Sequence, residues 1–249
     1  MPLAGILVYL FIDSVIYLLR PFSELRMEWY ATLMITGANG LAACALIVFK
    51  PIQDEPPVWR WFARGIFIAF LAHCSAIAIT LLLQRPFAWK IADDVLLLIA
   101  HAFIVWGLWR WGQIALSDPE TPSDTGQSSA TIATVFMFFF TAICVMVPAF
   151  GLWGDPAYER AVHTLLNLFD ILGFLFCIRI FFYHQKQRAY SFSSPIYVFS
   201  LGFGLLCLAN PFAQFQTLLG AELTYHWINI AWVLGYLLIS NAAWQRRRK

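Results

Sequence analysis

The 249-residue chain has few charged residues. Asp, Glu, Lys and Arg make up 12% of it, about half their share in soluble domains. Hydrophobic residues make up 61%, against about 45–50% in soluble domains. So large an apolar surplus has to face lipid, because a small core cannot bury all of it. The scarcity of charge excludes an ordinary soluble domain, and a net charge of +2 is too small to indicate nucleic-acid binding.

Several signatures of familiar chemistry are also absent. The chain has no GxxxxGK[ST] loop, no GxSxG and no HExxH. No lysine falls within a predicted membrane segment, which excludes a retinal Schiff base at membrane depth. The five cysteines contain no CxxC pair and all lie in apolar segments, so we expect no disulfide framework. These absences favour a protein that is not an enzyme, without excluding one.

Eight stretches are long and apolar enough to cross a bilayer, for which a helix needs about 20 apolar residues. Only helices and closed barrels satisfy backbone groups in lipid, and these stretches show no strand-like alternation. We therefore predict an all-α, polytopic membrane bundle of about eight transmembrane helices. The predicted segments are Leu3 to Leu19, Trp29 to Phe49, Phe62 to Leu83, Ala92 to Ala115, Ile132 to Trp153, Arg160 to Tyr183, Pro195 to Thr217 and Leu223 to Trp244.

A polar linker divides this single membrane domain into two groups of four segments. Residues 117–130, SDPETPSDTGQSSA, are rich in Pro, Ser, Thr, Gly and acidic side chains. Residues 1–116 and 131–249 would then be four-helix halves that enter the membrane in the same direction. A shift of 131 positions brings the predicted segments roughly into register, so two parallel, duplicated halves are one hypothesis.

The distribution of basic residues predicts the orientation. Eight crossings place both termini on the same side, and that side carries 11 of the 16 Lys and Arg residues. Under the positive-inside rule, the N-terminus and C-terminus are therefore cytoplasmic. Arg246 to Lys249 would anchor the end of the last helix at the cytoplasmic leaflet. The compact loops indicate a bacterial cytoplasmic (inner) membrane, and the lipid bilayer is the first expected partner.

Polar residues at membrane depth are costly and usually face the interior of a bundle. Most of them fall between the predicted midplane and the outer leaflet: Asp13, Asn39, His73, His101, Asn167, Asp170, Asn210 and Asn229. The inner half holds far fewer. This asymmetry predicts a polar pocket that opens toward the extracytoplasmic side.

The sharpest pattern is His163, Asn167 and Asp170, whose spacing of i, i+4 and i+7 places them on one helix face. This face is a candidate ligand-binding or proton-handling stripe, and a seam of interhelical hydrogen bonds is the alternative. Asp13 and Tyr17 share a face in the same way, and a carboxyl group capped by tyrosine is the simpler interpretation there.

His73 and His101 lie at comparable depth on consecutive, antiparallel segments. They could hold a metal or a haem together, or they could hydrogen-bond across helices. The candidate ligand-binding residues are thus His163, Asn167, Asp170, Asp13, Tyr17, His101, His73 and Asn39. No catalytic or metal-binding residue is assigned, and any cofactor is unknown.

Three functions remain open. The first is a sensory or receptor-like module that binds a small ligand in the outer pocket and signals through a cytoplasmic or membrane partner, or through an output domain. The second is a carrier for a small solute or a proton-coupled substrate, for which Asp13 and Asp170 are the candidate coupling groups. The third is an intramembrane haem or redox enzyme using His73, His101 and Asp170. An accessory subunit without a ligand is a fourth alternative.

Overall fold

The computed structural model describes residues 3–19, 24–48, 57–83, 87–116, 157–186, 194–219 and 225–247, and all regular structure in these ranges is helical. The helices are α1 (Leu3–Leu19), α2 (Glu24–Val48), α3 (Val58–Leu83), α4 (Phe87–Leu116), α5 (Ala157–Lys186), α6 (Pro195–Leu219) and α7 (Tyr225–Arg247). The prediction of an all-α protein is confirmed. The predicted segment Ile132 to Trp153 and the linker lie outside the described residues, so the count of eight helices and the two duplicated halves stay predictions.

Five of these helices are long and apolar enough to cross a membrane. The candidate spans are Trp29–Val48, Val58–Leu81, Asp93–Ile114, Ala161–Phe181 and Pro195–Ala213. Large apolar side chains such as Phe11, Leu33, Leu41 and Phe212 point outward and are exposed, which suits a lipid environment. The chain is an integral membrane protein by these criteria. Its orientation and the identity of its membrane stay predictions.

The helices from α2 to α7 form a closed ring. Each helix packs against the next in chain order, and α7 completes the ring by packing against both α6 and α2. The first helix, α1, lies outside the ring, and α7 is its neighbour among the described helices. Since α7 is flanked by α1, α2 and α6, much of its surface is covered by protein. That placement explains how it tolerates a less apolar composition than the five candidate spans.

Helices α4 and α5 are parallel neighbours, although 40 residues separate them in the chain. Their contacts join Asp94 to His163 and His101 to Asp170, so residue numbers rise together along both helices. The first residues of α4 and of α5 therefore lie at the same level. This arrangement brings together polar residues that are 69 positions apart (163 − 94 and 170 − 101).

Glycines allow the closest approach between α6 and α7. A Cβ atom built on Gly202 would lie 2.6 Å from the carbonyl oxygen of Gly235, and one on Gly235 would lie 2.9 Å from that of Gly202. Both distances are shorter than real contacts permit, so only glycine fits at either position. Such contacts between small residues stabilise helix pairs in membranes, where lipid provides no hydrophobic drive for association.

Aromatic side chains fill the ring interior near the beginning of α3 and of α6. We call Trp59 and Phe62 of α3 with Phe199 and Phe203 of α6 the aromatic floor. The rings of Phe62 and Phe199 stack with centroids 4.0 Å apart, and Trp59 meets Phe199 edge-on at 5.9 Å. These contacts join two helices that are not neighbours in the ring, so the floor spans its interior.

Arg246, near the end of α7, packs against the aromatic floor. Its side chain is 2% exposed, and its Cζ lies 5.0 Å from the centroid of the Trp59 ring. A guanidinium group at this distance makes a cation–π contact. The sequence predicts that Arg246 anchors the chain at the lipid surface, but the structure places it inside the bundle.

Candidate functional site

The ring encloses a cavity of about 280 Å³. Five helices, α2, α3, α4, α6 and α7, contribute to its wall, and most of the wall is apolar. Its polar side chains are Thr32, Thr36, His73, His101, Asn210, Trp232 and Tyr236. The cavity lies beside the aromatic floor, because Phe203 belongs to both. An apolar wall with a few convergent polar groups is the usual character of a small-molecule site.

A chain of polar contacts runs along one side of this cavity and joins four helices. His101 Nδ1 lies 2.7 Å from the carbonyl oxygen of Leu97, and His101 Nε2 lies 3.2 Å from Asp170 Oδ1. Asn210 Nδ2 donates to Asp170 Oδ2 at 3.0 Å, and Trp232 Nε1 donates to Asn210 Oδ1 at 2.7 Å. We call His101, Asp170, Asn210 and Trp232 the polar network. It links α4, α5, α6 and α7.

Both ends of the polar network have a fixed direction. The indole N–H of Trp232 can only donate, so Asn210 must accept with Oδ1 and donate with Nδ2. A backbone carbonyl can only accept, so His101 must carry a proton on Nδ1, facing Leu97. These constraints settle the amide orientation and the imidazole tautomer. The one position they leave open is the proton between His101 Nε2 and Asp170 Oδ1.

Asp170 lies behind the cavity wall and is 1% exposed. Its neighbours His101 and Asn210 line the cavity, so a change at Asp170 reaches the cavity through them. A buried carboxyl group at membrane depth is costly unless its oxygens have hydrogen-bond donors. Asn210 provides a donor for Oδ2, whereas Oδ1 faces His101 Nε2 at 3.2 Å and has no hydrogen bond of regular geometry among the described residues.

A second acid–imidazole pair lies on the same two helices, closer to their first residues. His163 Nε2 of α5 lies 4.0 Å from Asp94 Oδ2 of α4. This distance is too long for a direct hydrogen bond, and a bridging water could fill it. Among the described residues, His163 Nδ1 and Asp93 Oδ1 are buried without a hydrogen-bond partner. We call Asp94 and His163 the outer pair, and His101 and Asp170 the inner pair.

Two polar groups lie on the other sides of the cavity. Thr36 of α2 is 8% exposed, and its Oγ1 has no hydrogen-bond partner among the described residues. His73 of α3 lines the cavity and meets the ring of Tyr236 edge-on, with centroids 6.4 Å apart. Thr36 and His73 can therefore receive a polar atom of a bound molecule at other positions of the cavity wall.

The structure thus brings together some of the candidate residues and separates others. His101 and Asp170 form the inner pair, His73 lines the cavity from α3, and His163 belongs to the outer pair. Asn167 is 1% exposed and lies on the α5 face between the two pairs. His163, Asn167 and Asp170 are the stripe residues that the sequence indicates. Whether any of the candidate residues binds a ligand stays a prediction.

Asn39 has a structural role in the contact between α2 and α3. Its side chain is fully buried, and with the amide oriented to match its surroundings, Nδ2 donates to Ile66 O at 3.2 Å. The amide oxygen then accepts from Phe70 N at 3.1 Å. Asp13 and Tyr17 lie on α1, which is outside the ring, and their side chains fall outside the described part of the chain.

His101 and His73 do not form a ready haem or metal site. Both ring nitrogens of His101 face partners, Leu97 O and Asp170 Oδ1, so ligation would break one of these contacts. No group of three or more His, Cys, Asp or Glu side chains in the described ranges is placed to hold a metal ion. The donor set around the cavity favours hydrogen bonding to an organic molecule over metal coordination.

Comparisons with known proteins give no relative: no protein-family model, no curated protein and no solved structure matches this chain.

Proposed function

We propose that this chain is a receptor-like membrane module that binds a small, uncharged, largely apolar molecule in the ring cavity and signals through a partner. The observation that carries the proposal is the cavity itself, with its apolar wall and its few polar groups. Its volume of about 280 Å³ lies near the lower end of the range for small-molecule pockets, about 300–1,000 Å³. The ligand is therefore small.

The wall chemistry supports an uncharged ligand. The residues that line the cavity include no Asp, Glu, Lys or Arg, so a charged ligand would meet no opposite formal charge there. An unpaired charge at membrane depth is costly. A neutral molecule with one hydrogen-bonding group would instead find a partner in Thr36 Oγ1, which has none among the described residues.

The aromatic floor favours sensing over transport. Its stacked rings fill the interior between α3 and α6, so a transported molecule would have to separate Phe62 from Phe199 to leave at that end. A receptor needs access from one end alone. The buried inner pair nevertheless supports a second candidate, a proton-coupled carrier, because buried acid–imidazole pairs mark proton pathways in many transporters. In that case the floor would open during each cycle.

Native mass spectrometry of gently purified protein tests the binding proposal. Ala69 is 4% exposed and lines the cavity, so Ala69→Phe would fill part of it. Leu71→Phe is the matched control, because Leu71 lies on the same helix and is 45% exposed to the outside. We expect a small molecule bound to the wild type and to Leu71→Phe but absent from Ala69→Phe. Equal retention in all three proteins would contradict the proposal, as would an empty wild-type protein that keeps its lipids.

Thr36→Val then tests the polar contact inside the cavity. Valine has nearly the shape of threonine but no hydroxyl group, so the variant removes one hydrogen bond to the ligand. One such bond is worth about 0.5–1.5 kcal/mol, which corresponds to a loss of affinity of about twofold to tenfold. The molecule identified by mass spectrometry provides the ligand for this titration. Unchanged affinity would show that Thr36 does not contact it.

A further inference from the structure

The polar network leaves one proton unassigned, and that proton lies at the cavity wall. We propose that the inner pair, His101 with Asp170, is a proton-binding site, and that its proton controls the positions of Asn210 and Trp232 in the wall. Every other hydrogen in the network has a defined place, because Trp232 can only donate and Leu97 O can only accept. The state of the network therefore depends on this one proton.

The 3.2 Å separation of His101 Nε2 and Asp170 Oδ1 favours a proton between the two atoms. With the proton present, either Nε2–H donates to the carboxylate or the carboxyl O–H donates to Nε2, and the pair is neutral in both cases. When the proton passes to water, a lone pair on Nε2 faces a carboxylate oxygen at 3.2 Å. The pair then carries a buried negative charge with Asn210 Nδ2 as its donor. The separation observed fits the protonated state.

Other titratable groups surround the inner pair, and each belongs to a known helix. They are His73 on α3, Asp93 and Asp94 on α4, His163 on α5, Cys207 on α6 and Tyr236 on α7. Among them, His73 and Tyr236 also line the cavity, and the Cys207 thiol is beside Asp170. None of these groups replaces the proton that faces Nε2, because the distance from Nε2 to Oδ1 leaves no room for a third group.

The outer pair repeats the same chemistry on the same helices. Asp94 and His101 are seven residues apart on α4, and His163 and Asp170 are seven apart on α5, with acid and imidazole exchanged between the helices. Seven residues correspond to about 10.5 Å along a helix. The outer pair is looser, at 4.0 Å against 3.2 Å, and its side chains are 12% and 16% exposed. Its side chains are thus more accessible to water than those of the inner pair, which are 11% and 1% exposed.

Loss of the inner proton would reach the cavity through two hydrogen bonds. Repulsion between His101 and the carboxylate displaces Asp170, and Asp170 Oδ2 holds the amide of Asn210. Asn210 in turn holds the indole of Trp232. Both Asn210 and Trp232 line the cavity, so the proton and a bound molecule would affect each other. This last step rests on the proposed function, whereas the proton site itself does not.

Nuclear magnetic resonance of protein labelled with ¹⁵N in histidine and in the tryptophan indole tests the proposal without any ligand. The sample is the full chain in lipid nanodiscs, titrated from neutral to alkaline pH. Infrared spectra of the same sample follow the C=O band of a protonated carboxyl group. At neutral pH we expect either a protonated His101 Nε2 or a protonated Asp170. Alkaline titration should remove that signal, and the Trp232 indole resonance should shift with the same midpoint.

Two variants serve as matched controls. Asp170→Asn keeps both contacts, since its Nδ2–H can donate to Nε2 and its Oδ1 can accept from Asn210, but it cannot take up the proton. It should remain folded and lose the titration of His101 and of Trp232. Asp94→Asn removes the outer carboxylate and should leave the titration of His101 in place. Persistence of the His101 titration in Asp170→Asn would overturn the assignment of the proton to the inner pair.

Two further results would also overturn parts of the proposal. An ionised Asp170 beside an unprotonated Nε2 at neutral pH would reject the proton site. A Trp232 resonance that stays fixed while His101 titrates would reject the link to the cavity. Because these measurements use ligand-free protein, an empty cavity in mass spectrometry would leave them valid, and their failure would leave the binding proposal standing.

Discussion

Replacement of Asp170 by alanine tests whether the polar network holds the ring together. Asp170 on α5 contacts His101 on α4 and Asn210 on α6, so Asp170→Ala removes two interhelical contacts at once. Each such contact in a membrane is worth about 0.6 kcal/mol on average and up to about 1.7 kcal/mol. The variant should therefore lower the free energy of unfolding by about 1–3 kcal/mol. Asp170→Asn preserves both contacts and should cost less than about 1 kcal/mol.

Unfolding by sodium dodecyl sulfate in mixed micelles, followed by circular dichroism, would measure these differences. Leu172→Ala is the control, because Leu172 lies on the same helix and is 41% exposed to the outside. Lipid or detergent can replace the lost side chain there, so its effect should be small. If Asp170→Asn is destabilised as much as Asp170→Ala, the contacts need the carboxyl group itself, and an amide cannot replace it in the network. If Asp170→Ala matches the wild type, the network does not stabilise the ring.

Three other features lead to predictions that the same unfolding assay checks. Gly202→Ala should cost about 1–3 kcal/mol, because its Cβ would lie 2.6 Å from a backbone oxygen, whereas Gly37→Ala, with nothing within 4 Å, should be neutral or stabilising. A double-mutant cycle between Arg246 and Trp59 should give a coupling energy of about 0.5–2 kcal/mol, and a value near zero would reject the cation–π contact. Phe199→Ala should cost about 3 kcal/mol and let thiol reagents reach the buried Cys207 of α6 from the floor end. Unchanged labelling of Cys207 would show that the floor does not seal the cavity.

Most of the helical architecture was predictable from hydrophobic runs alone. The bounds of α1 agree with the prediction, and α6 begins at Pro195 as expected. Two helices begin five residues earlier than predicted: α2 begins at Glu24 rather than at Trp29, and α4 begins at Phe87 rather than at Ala92. In α4, helical hydrogen bonding continues through the flanking Trp and Lys residues at this end, so the helix is longer than its apolar part. Hydropathy marks where lipid begins and does not mark where backbone hydrogen bonds end.

The site was predictable residue by residue but not as a set of contacts. Depth in the membrane singled out Asp170 and His101, since polar groups there need partners. The sequence suggested His73 as a partner for His101, because the two lie on consecutive helices. The structure instead pairs His101 with Asp170 on a parallel helix that follows 40 residues later. Such a pairing depends on the order of helices in the ring, and local periodicity carries no information about that order.

Two residues of the site gave weak signals in the sequence. Asn210 precedes Pro211, and α6 continues past both residues to Leu219. The amide of Asn210 serves the polar network, which its depth in the membrane could have indicated. Trp232 is one of 11 tryptophans, and an indole at membrane depth usually indicates packing. Its indole N–H donates to Asn210 because α7 packs against α6, and the sequence alone does not show that packing.

The order of helices in the ring also determines the stage of synthesis at which the cavity can first form. The ring closes where α7 meets α2, and α7 is the last of the described helices in the chain. During synthesis, Thr36 and His101 therefore enter the membrane before α7 is made. The cavity wall is completed when Trp232 and Tyr236 of α7 pack beside them. A nascent chain that stops before α7 would present an unfinished polar groove to lipid or to the insertion machinery. The cavity of newly made protein thus forms only after α7 has packed against α2 and α6.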